Sequence, residues 1–286
     1  MEKKPLSPAE ITQVAIDTAV IKSKSGFGKL LVLGILAGAF IAFAAEGSNM
    51  AAFNLFAQPT TYGLGKALAG AIFGTGLMLV VLAGGELFTG NTLMVAAVLN
   101  KRISMGSMLR NWSIVYVGNL IGSLLIAYMM ANSGLFGSGA DMLGAVTLKI
   151  AVYKVHLSFT QALFLGIMCN WLVCLAVWMA YGADTMAGKI AAIFFPIWLF
   201  ITSGFEHSVA NMYYVPAGLF IKGNENFASL LGLTQEALDG LTWNSFFIHN
   251  LIPVTLGNMI GGGILVAMAY WYSYKKTLRT GEKDDK

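Results

Sequence analysis

The chain has 286 residues, 57% of them hydrophobic and only 11% charged, with a formal net charge of +4. Soluble domains carry about 25% charged residues, so the composition argues against a soluble domain and for a polytopic membrane protein in contact with lipid. The basic residues gather at loop ends and at the termini, which speaks against nucleic acid as a partner.

The opening stretch "MEKKPLSPAE" has no apolar core and no small-residue cleavage site, unlike a signal peptide. Ser7, Pro8 and Glu10 instead occupy N-cap, N1 and N3 positions of a short helix. That helix presents Ile11, Val14, Ala15 and Thr18 on one side and is expected to lie at the membrane surface.

Four apolar segments of ordinary membrane length follow, near Leu30–Glu46, Trp112–Ala131, Phe159–Tyr181 and Phe246–Tyr272. Two more are too long. Between Lys66 and Lys101 lie 34 residues with one charge, Glu86, and between Lys189 and Lys222 lie 32 with one charge, Glu206. As straight helices they would reach about 51 and 48 Å, against a hydrocarbon core of about 30 Å. A helical hairpin needs about 40 residues before any turn, so neither crosses twice. Each must break, at "GGELFTGN" (84–91) and at "SGFEHSVAN" (203–211).

Six spans put both termini on one side, and 14 of the 18 Lys and Arg residues fall there. Only Lys66, Lys149, Lys154 and Lys222 fall opposite, so the termini are read as cytoplasmic and the membrane as a bacterial-type inner membrane. Cys169 and Cys174, about 140° apart on a helix, read as small buried hydrophobes with no metal or redox role. No cofactor is called for.

The two breaks repeat each other. Glu86 precedes Asn91 by five residues, as Glu206 precedes Asn211. The next spans, "NWSIVYVGNLIGSLLIA" (111–127) and "NLIPVTLGNMIGGGILVA" (250–267), pair Asn111, Gly118, Asn119 and Gly122 with Asn250, Gly257, Asn258 and Gly261. The first spans share only "LGI", at 33–35 and 165–167. Three spans per half force the second copy to be inverted. The resulting division is an N-terminal amphipathic helix (1–29), a first repeat (30–131), an outer connecting loop (132–158), a second repeat (159–274) and a basic tail (275–286). The recurring Gly-x-x-x-Gly pairs read as close helix packing.

Inverted breaks bring irregular backbone to the midplane from both sides, where it must be buried or wet. Half-helix N-termini there suit an anion. The expected role of Glu86 and Glu206, with Asn91 and Asn211 beside them, is support of the breaks, each acid accepting hydrogen bonds from amides its own break exposes. His207 is the one group at the breaks whose ordinary range would let it gain or lose a proton near neutral pH, beside the alternative of a buried structural donor, and Thr89 is its natural hydrogen-bond partner. His156 and His249 sit near span ends, in structural positions.

The stretches "ELFTGN", "KVHLSF", "CNWLVCLAVWM", "GFEHSVANM" and "NLIPVTLGNMIGGG" resemble the formate–nitrite transporter family, from Lys29 to Tyr272. The resemblance implies an all-α, aquaporin-like protomer of six transmembrane helices, the second and fifth broken, assembled as a homopentamer with one pathway per protomer. It implies that His207 and Thr89 meet at the pathway centre, with Lys154 and Asn170 on the outer side. It further implies apolar constrictions at Leu77, Leu87 and Phe88 on the cytoplasmic side and at Phe73 and Phe200 on the outer side. The substrates implied are small monovalent weak-acid anions with protons, formate ahead of nitrite and hydrosulfide. On its own, Lys154 reads equally as an anion-attracting residue or a solvated loop lysine.

A channel for small neutral solutes is the competing reading, since aquaporins also use inverted repeats, but no Asn-Pro-Ala stands at either break. An intramembrane enzyme or haem protein is a third, and "FEHSVAN" lacks a second nearby metal ligand.

Overall fold

The structure, a computed structural model, describes residues 4–284. Lys3 and Lys286, counted above among the basic residues, lie outside the described residues, as do the side chains of Lys276, Arg279 and Lys283 in the basic tail. Among the described residues the secondary structure is entirely helical.

The capping box closes α1 (Pro8–Ser23) as its sequence demands. Ser7 accepts from the Glu10 amide, and the Glu10 carboxylate accepts from the Ser7 amide at 2.7 Å. Its buried face, however, is Ile11, Thr12, Ala15, Ile16 and Ala19, and it packs on other helices of the protein. Val14 and Thr18 are only half-buried. The apolar stripe of this helix is thus covered by other helices of the protein.

Six helices among the described residues are long and apolar enough to cross a membrane. The first is α2 (Phe27–Phe56), and the second begins with α3 (Tyr62–Met78) and continues as a π-turn (79–84). It stops at Gly85–Leu87, then resumes as α4 (Phe88–Asn91), a 3-10 turn (92–94) and α5 (Val95–Leu99). The third is α6 (Met105–Asn132). Residues 132–158, expected as a connecting loop, contain α7 (Met142–Val155).

The second half follows the same order. It runs through α8 (Phe159–Gly182), α9 (Met186–Ser203), a break at 204–207, and α10 (Ser208–Ile221). Two short helices, α11 (Glu225–Leu230) and α12 (Gln235–Asp239), lead to the last span. That span comprises α13 (Trp243–Ser245), π-helical 246–251, α14 (Ile252–Met259) and π-helical 260–268. It ends in α15 (Ala269–Asp284), which packs on α1 and so shares its face of the molecule, here the terminal face.

Packing confirms the reading of the paired glycines. A Cβ on Gly122 would strike the Ile35 carbonyl oxygen, and one on Gly257 would strike the Leu163 carbonyl oxygen. The α2–α6 and α8–α14 pairs approach at backbone distance in both halves, as small-residue interfaces permit.

Candidate functional site

The polar residues of the breaks form two copies of one network. In the first, Glu86 Oε2 accepts from Lys22 Nζ at 3.0 Å and from Asn91 Nδ2 at 2.7 Å. Asn91 Nδ2 also reaches Asn111 Oδ1, at 2.8 Å, and Asn111 Nδ2 donates to the Lys22 carbonyl at 3.4 Å. In the second, Glu206 Oε1 accepts from Lys154 Nζ at 2.7 Å and Oε2 from Asn211 Nδ2 at 2.6 Å. Asn211 Nδ2 reaches Asn250 Oδ1 at 2.8 Å, and Asn250 Nδ2 donates to the Lys154 carbonyl at 2.9 Å. Lys22 and Lys154 each sit one residue before the end of α1 and α7, so those two helices stand in matching positions at the two breaks.

These contacts correct the expected roles of the acids. Among the described residues neither carboxylate takes backbone amides of its own break; each takes a lysine and asparagine side chains instead. The break backbone is served by two further asparagines. Asn119 Oδ1 accepts the Phe88 amide while its Nδ2 donates to the Gly34 and Glu86 carbonyls. Asn258 does the same for the Ser208 amide and the Gly166 and Glu206 carbonyls. The Glu86 and Glu206 amides end on Leu33 and Leu165 carbonyls. The slight "LGI" match is therefore the docking point of both breaks.

At the centre the two breaks touch. Thr89 Oγ1 lies 2.9 Å from His207 Nε2, and both residues are buried. His207 is also the N-cap of α10, its Nδ1 accepting the Ala210 amide at 3.0 Å. Asn170, expected on the outer side, lies here instead. Its Nδ2 donates to the Thr89 carbonyl, to Thr92 Oγ1 and to the Asn258 carbonyl at 3.2, 3.1 and 2.7 Å. Position 170 is midway along α8, which crosses at the depth of the breaks.

On the far face from α1, a cavity of about 820 Å³ descends to this contact. Its wall includes Lys66, Lys149 and Lys154, and Phe200, Glu206 and His207 also line it. Phe73 meets Phe200 edge-on at 5.6 Å, and the Phe200 ring lies 6.1 Å from the imidazole. Towards the terminal face Leu77, Leu87 and Phe88 are all buried, and Phe88 is held edge-on by Trp112 at 5.9 Å and Tyr116 at 4.9 Å. Lys154 is no solvated loop lysine: it lies in the last turn of α7, is 8% exposed, and is bonded to Glu206.

Comparison with known proteins rests on the whole length of this arrangement. The profile of the formate/nitrite transporters matches residues 9–272. The chain belongs to the formate/nitrite transporter family. A probable formate transporter of Methanothermobacter thermautotrophicus is 42% identical to this transporter, over 94% of this chain and 97% of its own. The formate channel FocA of Escherichia coli (strain K12) is 39% identical over 94% of each chain. A solved pentameric formate channel with formate bound superposes with a TM-score of 0.76 at 39% identity, covering 87% of this chain and 97% of that one. This family member is thus a multi-pass membrane transporter and not an enzyme.

Two features of this transporter escaped the sequence reading. One is the pairing of Lys22 with Glu86 across 64 positions. The other is the part that Asn119 and Asn258 play at the breaks. Both asparagines stood in the aligned repeat, so their matched spacing was the available signal.

Proposed function

We propose that this transporter is a channel for small monovalent weak-acid anions, formate first, with nitrite and hydrosulfide next. The observation that carries the reading is the Thr89–His207 contact, set at the base of a lysine-walled cavity and between apolar side chains. Formate relatives of about 40% identity support the choice of anion.

The hydrogen bonds define what the imidazole offers. Nδ1 accepts the Ala210 amide, so the neutral ring carries its proton on Nε2, directed at Thr89 Oγ1. An imidazolium would place a second N–H against that amide. The resting site therefore offers hydrogen bonds rather than a proton, and proton donation requires the Ala210 bond to open first. Thr89, accepting from Nε2, keeps its own hydroxyl hydrogen for an anion.

Phe73 and Phe200 on one side, and Leu77, Leu87 and Phe88 on the other, act as dry walls. A bare anion loses several kcal/mol of hydration in such walls, and the central donors offset part of that loss. Asn170 holds Thr89 in place from behind. Glu86 with Asn91, and Glu206 with Asn211, anchor the breaks to α1 and α7.

By analogy with the pentameric formate channel that it resembles, this transporter assembles as a homopentamer with one pathway per protomer. The placement of 14 of 18 basic residues supports cytoplasmic termini in an inner membrane. The cavity then opens outward.

The test is uptake of formate, nitrite and hydrosulfide into proteoliposomes at two pH values, for wild type and His207→Phe. Formate uptake that depends on His207 is expected. An unchanged pH profile in the variant would remove a proton role. Osmotic swelling with water and glycerol separates the neutral-solute alternative.

A further inference from the structure

Three lysines and one glutamate are the charged residues lining the far-face cavity: Lys66, Lys149, Lys154 and Glu206. Lys154 and Glu206 are bonded to each other at 2.7 Å, so together they add no net charge. The cavity's positive charge therefore resides on Lys66 and Lys149. Lys149 is exposed on α7, where solvent and salt screen it. Lys66 is half-buried, and among the described residues no carboxylate lies in ion-pair range of it.

Its surroundings keep the ammonium in the wall of the cavity. Nζ lies 6.0 Å from the Phe56 ring centre and 5.8 Å from that of Tyr62, both of which line the same cavity. A Cβ placed on Gly204 would sit 3.6 Å from Nζ. Gly204 has φ of +78° and closes α9 three residues before His207. The Lys66 charge thus abuts the segment that carries the central histidine. Thr202 and Ser203 line the same wall and are exposed.

From this arrangement we propose that Lys66, in the cavity wall that Thr202 and Ser203 also line, forms an anion-holding subsite ahead of the Phe73–Phe200 constriction. It takes a small monovalent anion as the anion sheds water, and passes it to the Thr89–His207 centre. Lys154, locked to Glu206, is a structural anchor and not the attracting charge. The inference rests on the anion-channel reading above.

The two native cysteines are both fully buried, so Lys66→Cys supplies one accessible thiol from the far face. That variant, reconstituted in liposomes, is treated either with an aminoethyl methanethiosulfonate, which restores an ammonium, or with the sulfonatoethyl reagent, which installs an anion. Formate uptake from the far face is then measured against concentration. Lys66→Cys is expected to raise KM about fivefold to tenfold with a smaller change in maximal rate. The ammonium reagent should return KM to within about twofold of wild type, and the sulfonate reagent should raise it further. Lys66→Arg should keep the wild-type KM, and Lys66→Gln should repeat the cysteine result if that variant folds poorly. A role limited to packing or to capping α9 predicts no dependence on the sign of the attached charge, and that result would overturn the proposal. A wild type that moves no anion would instead overturn the anion-channel reading itself.

Discussion

Lys154 Nζ and Glu206 Oε1 stand 2.7 Å apart, with both side chains at least nine-tenths buried. The pair joins α7 to the second break, and its twin, Lys22 with Glu86, joins α1 to the first. Removing one member of a buried pair leaves a charge without a partner, which costs about 3–5 kcal/mol. Lys154→Met should therefore lower the melting temperature of the detergent-solubilised protein sharply. Lys154→Met combined with Glu206→Gln should recover much of that loss, because no bare charge remains. If the double variant melts no higher than the single one, the pair is not what holds α7 to the break.

Thr89 supplies one hydroxyl to the centre. Thr89→Ser retains that oxygen and should keep formate uptake within about threefold of wild type. Thr89→Val removes it and leaves His207 Nε2 without an acceptor, at about 1–3 kcal/mol. A corresponding loss of about tenfold to a hundredfold in flux is expected. Equal uptake by the valine and serine variants would remove the hydroxyl from the pathway.

Asn119 and Asn258 each satisfy one amide and two carbonyls at a break. Replacing either with alanine orphans three buried groups, so a loss of several kcal/mol is expected. Because the two sites are copies, Asn119→Ala and Asn258→Ala should depress thermal stability by similar amounts. A large inequality between them would show that one break is held by other means.

Gly122 and Gly257 permit backbone contact between α6 and α2 and between α14 and α8. Gly122→Ala forces a methyl into the Ile35 carbonyl oxygen, and overpacking of this kind costs about 1–3 kcal/mol or more. Gly90 is a built-in control, since a Cβ there meets only Val177 Cγ2, at 3.8 Å. Thermal unfolding should separate the two substitutions clearly.

The Glu10 carboxyl is held below the ordinary carboxylate value of 4.5, first by the Ser7 hydroxyl and then by its amide. A lowered folded-state value means that the stabilisation of α1 is present above the ordinary range. It is lost as pH falls through the folded value. Protection factors across residues 8–23, that is, exchange corrected for its intrinsic pH dependence, should fall as pH drops below the ordinary carboxylate value, and Ser7→Ala should flatten that dependence.

What the sequence determined by itself was the layout of the spans and the position of the breaks. Hydrophobic length and scarcity of charge are local quantities, and setting 34 and 32 apolar residues against bilayer thickness requires no knowledge of neighbours. The capping box at Ser7 and the inverted repeat were legible for the same reason. Partner choice was not. Thr89 and His207 are 118 positions apart, Lys154 and Glu206 are 52 apart, and Lys22 and Glu86 are 64 apart. Spacing along a chain fixes which way a side chain points on its own helix, but not which helix stands opposite. Glu86 and Glu206 were read as caps for their own breaks because nothing local announced the lysines of α1 and α7. Lys154 read equally as an anion-attracting residue or a loop charge, and Asn170 as an outer residue, until packing placed the first in a buried pair and the second behind Thr89. Only the tertiary arrangement pairs one cavity lysine, Lys154, with a carboxylate and, among the described residues, leaves another, Lys66, with none in ion-pair range.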